Sequence, residues 1–334
     1  MSAPTPGDVT FRDTVLIGIC TFRRPELAAT LASLQDLDPC GLPVAIAIAD
    51  NDGTPSAKDR VDALAATHPL PIAYLHAPEA NISVARNALL DHARATGARL
   101  LVYLDDDETV EPAWLARLVA GWKEGQQATP RAGAVLGPVR AHYRDGAPEW
   151  MDRARAHDTL PVVGKDGAIT SGYSGNTLID LADPAARGLR FDPARGRSGG
   201  EDSAFFADFL GTGGRIAFAP DAVVHETVPD DRARLGWLLR RRYRMGQTHA
   251  SLIVRDRSRA GRMGAAGVAA AKALACGSLA LLGMARPAWR NRQIMRAALH
   301  VGAAAHLGGA GQIEIYGTAP GRTDPALRRE PEET

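Results

Sequence analysis

Up to residue 229, apolar residues come in short unbroken runs that each end in polar or acidic residues. Residues 100–104, LLVYL, form one such run. It is too short for an ordinary helix and matches a strand buried on both faces, as in a parallel sheet. Asp105, Asp106 and Asp107 follow directly, and Pro112 opens a helix carrying Trp114, Leu115 and Leu118. Residues 14–20, TVLIGIC, predict a second such strand. It runs through Thr21, Phe22, Arg23, Arg24 and Pro25 into a helix with Leu27, Leu31 and Leu34 on one face. Residues 43–49 give a third, ending in Asp50, Asn51, Asp52 and Gly53, then a helix over 57–66 and a short strand over 72–75.

Ser83 is placed to cap the next helix, which carries Arg86 in its first turn and Leu89 and Leu90 behind it. Residues 132–139 read as one more strand, and 140–165, with little periodicity, as a loop over the site. Within that loop Trp150 serves either to stack on a sugar or simply to pack. Residues 169–179 alternate small and apolar positions, with Gly172, Gly175 and Asn176 allowing close approach to the backbone. A glycine-rich stretch then leads to Glu201 and Asp202, which start a helix with Phe205, Phe206, Phe209 and Leu210 on its apolar face. Residues 215–219 and 222–224 are short strands, and His225 follows. Strands alternating with helices predict an α/β domain that binds ligands at the carboxyl ends of its strands.

From residue 230 the pattern changes. Arg232, Arg234, Arg240, Arg241, Arg242, Arg244, Arg255, Arg257, Arg259 and Arg262 are interleaved with Leu235, Trp237, Leu238, Leu239, Tyr243 and Met245. An Ala/Gly/Leu-rich run over 264–283 and a milder one over 294–311 follow. The first is long enough to span a bilayer, but alanine and glycine give it little drive to do so. Cationic helices beside modestly apolar ones predict a peripheral or monotopic contact with an anionic membrane surface; the alternative is a soluble helical subdomain. The predicted organisation is a tail over 1–13, an α/β domain over 14–229, a helical appendage over 230–317 and a disordered tail over 318–334.

Composition narrows the class. With 39 basic and 38 acidic residues the formal net charge is +1, so no global field recruits nucleic acid. Cys20, Cys40 and Cys276 are too scattered for a disulfide framework or a zinc site and fit a reducing, cytoplasmic compartment. Residues 1–13 lack an apolar core, so no signal peptide is expected.

The chemistry concentrates at strand ends. Three adjacent carboxylates repel one another, and a hard divalent cation that also grips a ligand phosphate offsets that repulsion. The alternative is acidic decoration of a helix start. Asp105 and Asp107, as alternate residues, share a side if the chain stays extended. Thr21 suits a nucleotide or phosphate contact, or a plain strand-to-helix turn. Arg86 opposes its helix dipole, so an anionic ligand accounts for it better than local stability does. Glu201 and Asp202 are either ordinary first-turn residues or the source of a catalytic base.

Taken in order, TVLIGICTFRR, AIAIADND, NISVARN, YLDDDETVEPAWL, SGYSGN, GGEDSAFF and VVHE resemble the family 2 glycosyltransferases of the bacterial exopolysaccharide, succinoglycan type. The resemblance covers residues 14 to about 229. It implies the GT-A nucleotide-sugar fold, a Rossmann-like mostly parallel sheet with flanking helices, and Mn²⁺ or Mg²⁺ as cofactor. It implies a nucleotide-sugar donor, UDP-linked by preference, and an inverting transfer to a saccharide hydroxyl on a polyprenyl-diphosphate carrier at the inner face of the membrane. Thr21 and Asp50 would contact the nucleotide, Arg86 the base or diphosphate, and Asp106 the ribose. Asp105 and Asp107 would hold the metal with help from His225. Asp202 would be the base, with Gly175, Asn176 and Glu201 near the acceptor. A nucleotidyltransferase also pairs such a sheet with metal-binding carboxylates, and a glycoside hydrolase also uses two carboxylates. A non-catalytic nucleotide- or membrane-binding protein of the same fold is the remaining rival.

Overall fold

The structure is a computed structural model that describes residues 11–196, 199–254 and 258–313. Most of the tail expected over 1–13, all of that over 318–334, and Arg255 and Arg257 lie outside the described residues. The chain runs β1 (Arg12–Thr21), α1 (Leu27–Ser33), β2 (Val44–Asp50), α2 (Lys58–Ala65), β3 (Ile72–His76), α3 (Ile82–Thr96), β4 (Ala98–Asp105) and β5 (Glu108–Val110). It continues through α4 (Trp114–Gln127), β6 (Ala134–Leu136), β7 (Val139–Tyr143), α5 (Glu149–Ala154), β8 (Val162–Val163), β9 (Ile169–Ser171) and β10 (Thr177–Asp180). Then come α6 (Glu201–Gly211), β11 (Ile216–Phe218), β12 (Val224–Val228), α7 (Leu235–Ile253), α8 (Arg259–Leu282) and α9 (Pro287–Leu307).

Seven strands form the main sheet in the order β11-β6-β10-β4-β1-β2-β3. β1 pairs in parallel with both β2 and β4, so the strand order reverses at β1. A crevice opens at the carboxyl ends of strands around such a reversal. β10 runs antiparallel to β4 and β6, which makes the sheet mixed. The unbroken apolar runs follow from burial on both faces. Val15, Ile17, Ile19, Leu100, Val102 and Leu104 face the core under α1, α2 and α4. Leu16, Leu101 and Tyr103 face the core under α3 and α6. At Gly18 a β-carbon would stand 3.1 Å from Leu89 Cδ1, so glycine there lets α3 lie close on β1.

Several sequence expectations change. Strand 132–139 is two strands, because the chain leaves the main sheet at Gly137 and Pro138 and re-enters a small sheet of order β5-β12-β7. The expected loop over 140–165 contains β7, α5 and β8. Trp150 is partly buried against the cluster of Met151, Leu238 and Met295 and so packs rather than facing the site. The helix α3 is capped by Asn81, whose side chain accepts from Ser83 N–H, while Ser83 Oγ donates to Asp192 O.

The appendage is a helical layer in which α9 packs against both α7 and α8. A side chain at Gly246 would run into the Leu299 carbonyl, and one at Gly302 into that of Tyr243, so two glycines set the close α7–α9 approach. Several arginines at and just before α7 turn inward more than their density suggests. Arg232 and Arg241 lie 5.7 and 5.4 Å from the Trp237 ring, and Arg242 donates to Ala156 O. Their stems cover apolar surface while the guanidinium groups find partners. The opposite holds for α8, where Val268, Leu274, Leu281 and Leu282 are exposed. Of the described helices, α8 alone is long and apolar enough to cross a membrane, with a mean hydropathy of 1.7.

Candidate active site

β4 delivers the acidic triplet to the crevice. Asp105 is its last residue, Asp106 and Asp107 form the turn, and β5 begins at Glu108. The turn sorts the three carboxylates. Asp106 points inward, accepting from Thr21 Oγ1 at 2.7 Å, while its carbonyl accepts from Thr30 Oγ1 at 3.0 Å. Burial pushes its carboxyl up to about 7 against the pull of the Thr21 hydrogen bond. Thr21 and Asp106, both expected at the nucleotide, thus spend these groups on each other. Asp105 and Asp107 keep part-exposed side chains, at 47% and 17%, and are the outward pair beside the buried Asp106. Asp107 Oδ2 is 3.3 Å from Arg24 Nη1, and Asp105 Oδ1 is 3.9 Å from Arg86 Nη2.

Arg86 is buried on α3 and joins two parts of the site. It donates to Glu201 at the start of α6 and lies 5.6 Å from the Phe191 ring. Burial works to lower its pKa, but the charges of Glu201 and Asp105 hold it raised. Glu201 is itself buried, with Oε2 unpaired among the described residues. Its pKa is raised by burial, against Arg86. Glu201, expected near an acceptor, has one carboxylate oxygen engaged by Arg86. Asp202, the next residue, is part-exposed, and its Oδ1 accepts from Ser203 N–H at 2.6 Å. Asp202 lies close enough for its charge to act on both Asp105 and Arg86.

At the end of β2, Asp50 is fully buried. It accepts from Asp52 N–H at 3.2 Å, Ala57 N–H at 2.8 Å and Tyr74 Oη at 2.9 Å. Those bonds fix the loop after β2 and leave Asp50 little capacity for a base. Asp52 instead pairs with Arg23.

His225 does not join Asp105 and Asp107. On β12 it pairs across with Thr109 and Arg140, whereas Glu226 pairs with Glu108 and Ala141. Side chains alternate along a strand, so Glu226 takes the face of the carboxylates and His225 the other. His225 Nδ1 is 2.7 Å from His142 Nε2, and its Nε2 is 4.0 Å from Glu111. Burial, then His142, lowers its pKa. Among the described residues no three His, Cys, Asp or Glu side chains form a group able to hold a metal ion. Two outward carboxylates do fit a cation whose remaining ligands are water and substrate phosphate, the usual arrangement for Mg²⁺.

Gly175 and Asn176 approach the triplet in different ways. A β-carbon at Gly175 would sit 3.0 Å from Asp105 Oδ2 and 3.1 Å from Glu108 Oε1, so glycine leaves the acidic turn its room. Asn176, expected near the acceptor, is fully buried with φ 58°. Its Oδ1 accepts from Trp114 Nε1 at 2.8 Å, and its Nδ2 donates to Pro138 O and Ala222 O at 2.9 and 2.7 Å. It is a structural pin between α4, β10 and the small sheet, with nothing left for a ligand.

Residues 16–180 match the profile of Glycosyl transferase family 2. The chain is also 45% identical over 302 residues to the Succinoglycan biosynthesis protein ExoM of Rhizobium meliloti (strain 1021), covering 90% of this chain and 95% of that one. The chain belongs to the family 2 glycosyltransferases. Among solved structures it is similar to the mannosyltransferase PcManGT from Pyrobaculum calidifontis, itself in complex with GDP-Man and Mn²⁺. That likeness has a TM-score of 0.53 and 22% identity over 91% of this chain and 89% of the other, and it concerns the fold, GT-A. In this glycosyltransferase the matched stretch takes in Thr21, Asp50, Arg86, the triplet, Gly175 and Asn176 and stops short of Glu201, Asp202 and His225.

Two carboxylates of the glycosyltransferase crevice escaped the sequence reading. Glu108 is buried, and its Oε2 accepts from Asp105 N–H at 3.0 Å. Burial, then the charge of Asp105, raises its pKa well above the ordinary value. Glu226 is pushed up to about 7 by burial and by Asp107, with Arg241 opposing. The signal for Glu226 was its position beside His225 on a strand, one step away and therefore on the other face.

Proposed function

We propose that this glycosyltransferase moves a sugar from a nucleoside-diphosphate donor, UDP-linked by preference, to a saccharide hydroxyl with inversion at the anomeric carbon. Asp202 would take the hydroxyl proton as the oxygen attacks. The observation that carries this reading is the meeting of the outward pair Asp105 and Asp107 with an accessible Asp202, across a buried Arg86. Asp105 and Asp107 would hold Mn²⁺ or Mg²⁺, which when bound stabilises the charge of the departing diphosphate. Arg86 would hold Glu201 and Asp105 in register, and Asp50, through its loop, would shape the nucleotide end. Gly175 would leave space for a sugar beside Asp105. The Mn²⁺ and GDP-Man bound by the similar mannosyltransferase support a metal and a nucleoside-diphosphate sugar, and do not bear on the preference for UDP. The test is incubation of purified protein with a panel of nucleotide-sugars, with and without Mn²⁺ and saccharide acceptors. Release of nucleoside diphosphate, with the anomeric configuration of the product read by NMR, is the expected result. Pyrophosphate release would point to a nucleotidyltransferase, and no turnover or binding of any donor would sink the reading.

We further propose an acceptor carried on a polyprenyl diphosphate at the inner face of the cell membrane; the relative's name, a succinoglycan biosynthesis protein, supports the saccharide part of that acceptor. In this reading residues 14–229 are catalytic and 230–317 membrane-associating. Support comes from the exposed apolar side chains of α8 beside the exposed cations Arg259, Lys272 and Arg286. Each cation near an anionic leaflet contributes about 1 kcal/mol, and salt screens it. Full-length protein should float with anionic liposomes at low salt and less so at high salt. Leu274→Glu with Leu281→Glu, both at exposed positions, should abolish flotation without altering the melting temperature. Protein that stays soluble with every lipid would make the appendage a packing or oligomerisation element.

A further inference from the structure

The loop between β1 and α1 holds two neighbouring arginines that reach in opposite directions. Arg23 has a left-handed backbone, φ 54°, which costs energy in a residue with a β-carbon. Its guanidinium goes to Asp52 beyond β2, donating from Nη2 at 3.0 Å. That of Arg24 goes to Asp107 beyond β4, at 3.3 Å. The strained residue thus sets one guanidinium on each side of β1, across the mouth of the crevice.

The carboxylates there are answered differently. Asp106 is answered by the buried Thr21 hydroxyl, Glu108 by a backbone N–H and Glu201 by buried Arg86. Asp107 has no ion-pair partner but Arg24 among the described residues, and Arg24 is a long side chain that is 32% exposed. A divalent cation on Asp105 and Asp107 would share the Asp107 carboxylate with Arg24, whose Nη1 faces Oδ2. Two cations held against one carboxylate repel, so the entry of one favours the departure of the other. A guanidinium released at this mouth has the fork geometry to hold a phosphate in two bonds.

We propose that Arg24 stands on Asp107 in place of the metal while the crevice is empty, and passes to the donor diphosphate when metal and nucleotide enter. This rests on the metal reading given above. It makes bare metal a weak ligand and couples metal binding to diphosphate binding, and such coupling is reciprocal. The experiment titrates Mn²⁺ alone, followed by the electron paramagnetic resonance of the free ion, and then Mn²⁺ with inorganic pyrophosphate or UDP. Arg24→Gln should bind bare Mn²⁺ several-fold more tightly than wild type, and pyrophosphate with Mn²⁺ about tenfold less tightly. Arg24→Lys, which keeps the charge without the fork, should retain the weak bare-metal binding. Arg23→Gln, whose partner is Asp52, should leave bare Mn²⁺ affinity unchanged. Equal or weaker bare Mn²⁺ binding by folded Arg24→Gln overturns the proposal. Wild-type protein that takes no Mn²⁺ even with pyrophosphate or UDP overturns the metal reading itself, before any variant is compared.

Discussion

Asp202→Asn should lower turnover by on the order of 10²–10⁴-fold and leave donor binding intact. The amide has the shape of the carboxylate but cannot take a proton from a sugar hydroxyl. Its carbonyl oxygen can still accept from Ser203 N–H, as Asp202 Oδ1 does at 2.6 Å. The fold should lose no more than the interaction of one negative charge with the start of α6, about 0.3–1 kcal/mol. Glu201→Gln makes the contrast. Glu201 is the buried partner of Arg86, and removing its charge leaves a buried guanidinium half answered. Losing one side of a buried pair costs about 3–5 kcal/mol, and an amide that still accepts a hydrogen bond keeps some of that. The two adjacent carboxylates should therefore separate by experiment, one in the rate of nucleoside diphosphate release and the other in the melting temperature. Near-normal turnover by Asp202→Asn, with a folded but inactive Glu201→Gln, would move the base to Glu201.

The central strands were legible because burial on both faces leaves an unbroken apolar run, and β1, β2 and β4 carry the three clearest runs in the chain. The place of the triplet followed, since a strand that turns acidic must end at an edge of the core. What the triplet does within its turn did not follow. Alternation puts Asp105 and Asp107 on one side, but which side meets solvent depends on Thr21 and Thr30, distant residues that take up Asp106. The small sheet β5-β12-β7 was hidden because its strands are short and pair across long separations. With it went the parity of β12, and so the expectation that His225 faces the carboxylates. Asn176 misled for another reason. An asparagine among glycines suggests exposure, but here it is a residue that tolerates a left-handed backbone and then satisfies three buried groups. Arginine density around the start of α7 does not show which cations turn back onto Trp237, as Arg232 and Arg241 do.

Asp107→Ala should remove the dependence of donor binding on Mn²⁺ while the protein stays folded. Asp107 lies on a turn, its side chain is 17% exposed, and its one ion-pair partner among the described residues, Arg24, is 32% exposed. A part-exposed pair of this kind is worth about 0–1 kcal/mol. Its loss is offset by relief of repulsion, because the Asp107 charge works to raise the pKa of Asp105, Asp106 and Glu226. The melting temperature should therefore hold or rise slightly. The metal has no such compensation. No third His, Cys, Asp or Glu among the described residues is grouped to replace the lost ligand, and Asp105 alone would remain of the outward pair. Wild-type protein should bind nucleotide-sugar at least about tenfold more tightly in Mn²⁺ than in chelator, a difference of about 1.4 kcal/mol. In Asp107→Ala the two affinities should coincide. Asp106→Asn is the informative neighbour, since the buried amide can still meet the Thr21 hydroxyl and the outward pair is untouched. It should keep the Mn²⁺ dependence that Asp107→Ala loses. Should Asp107→Ala retain its full Mn²⁺ dependence while Asp106→Asn loses it, the inner carboxylate would be the metal ligand and the outward pair would not.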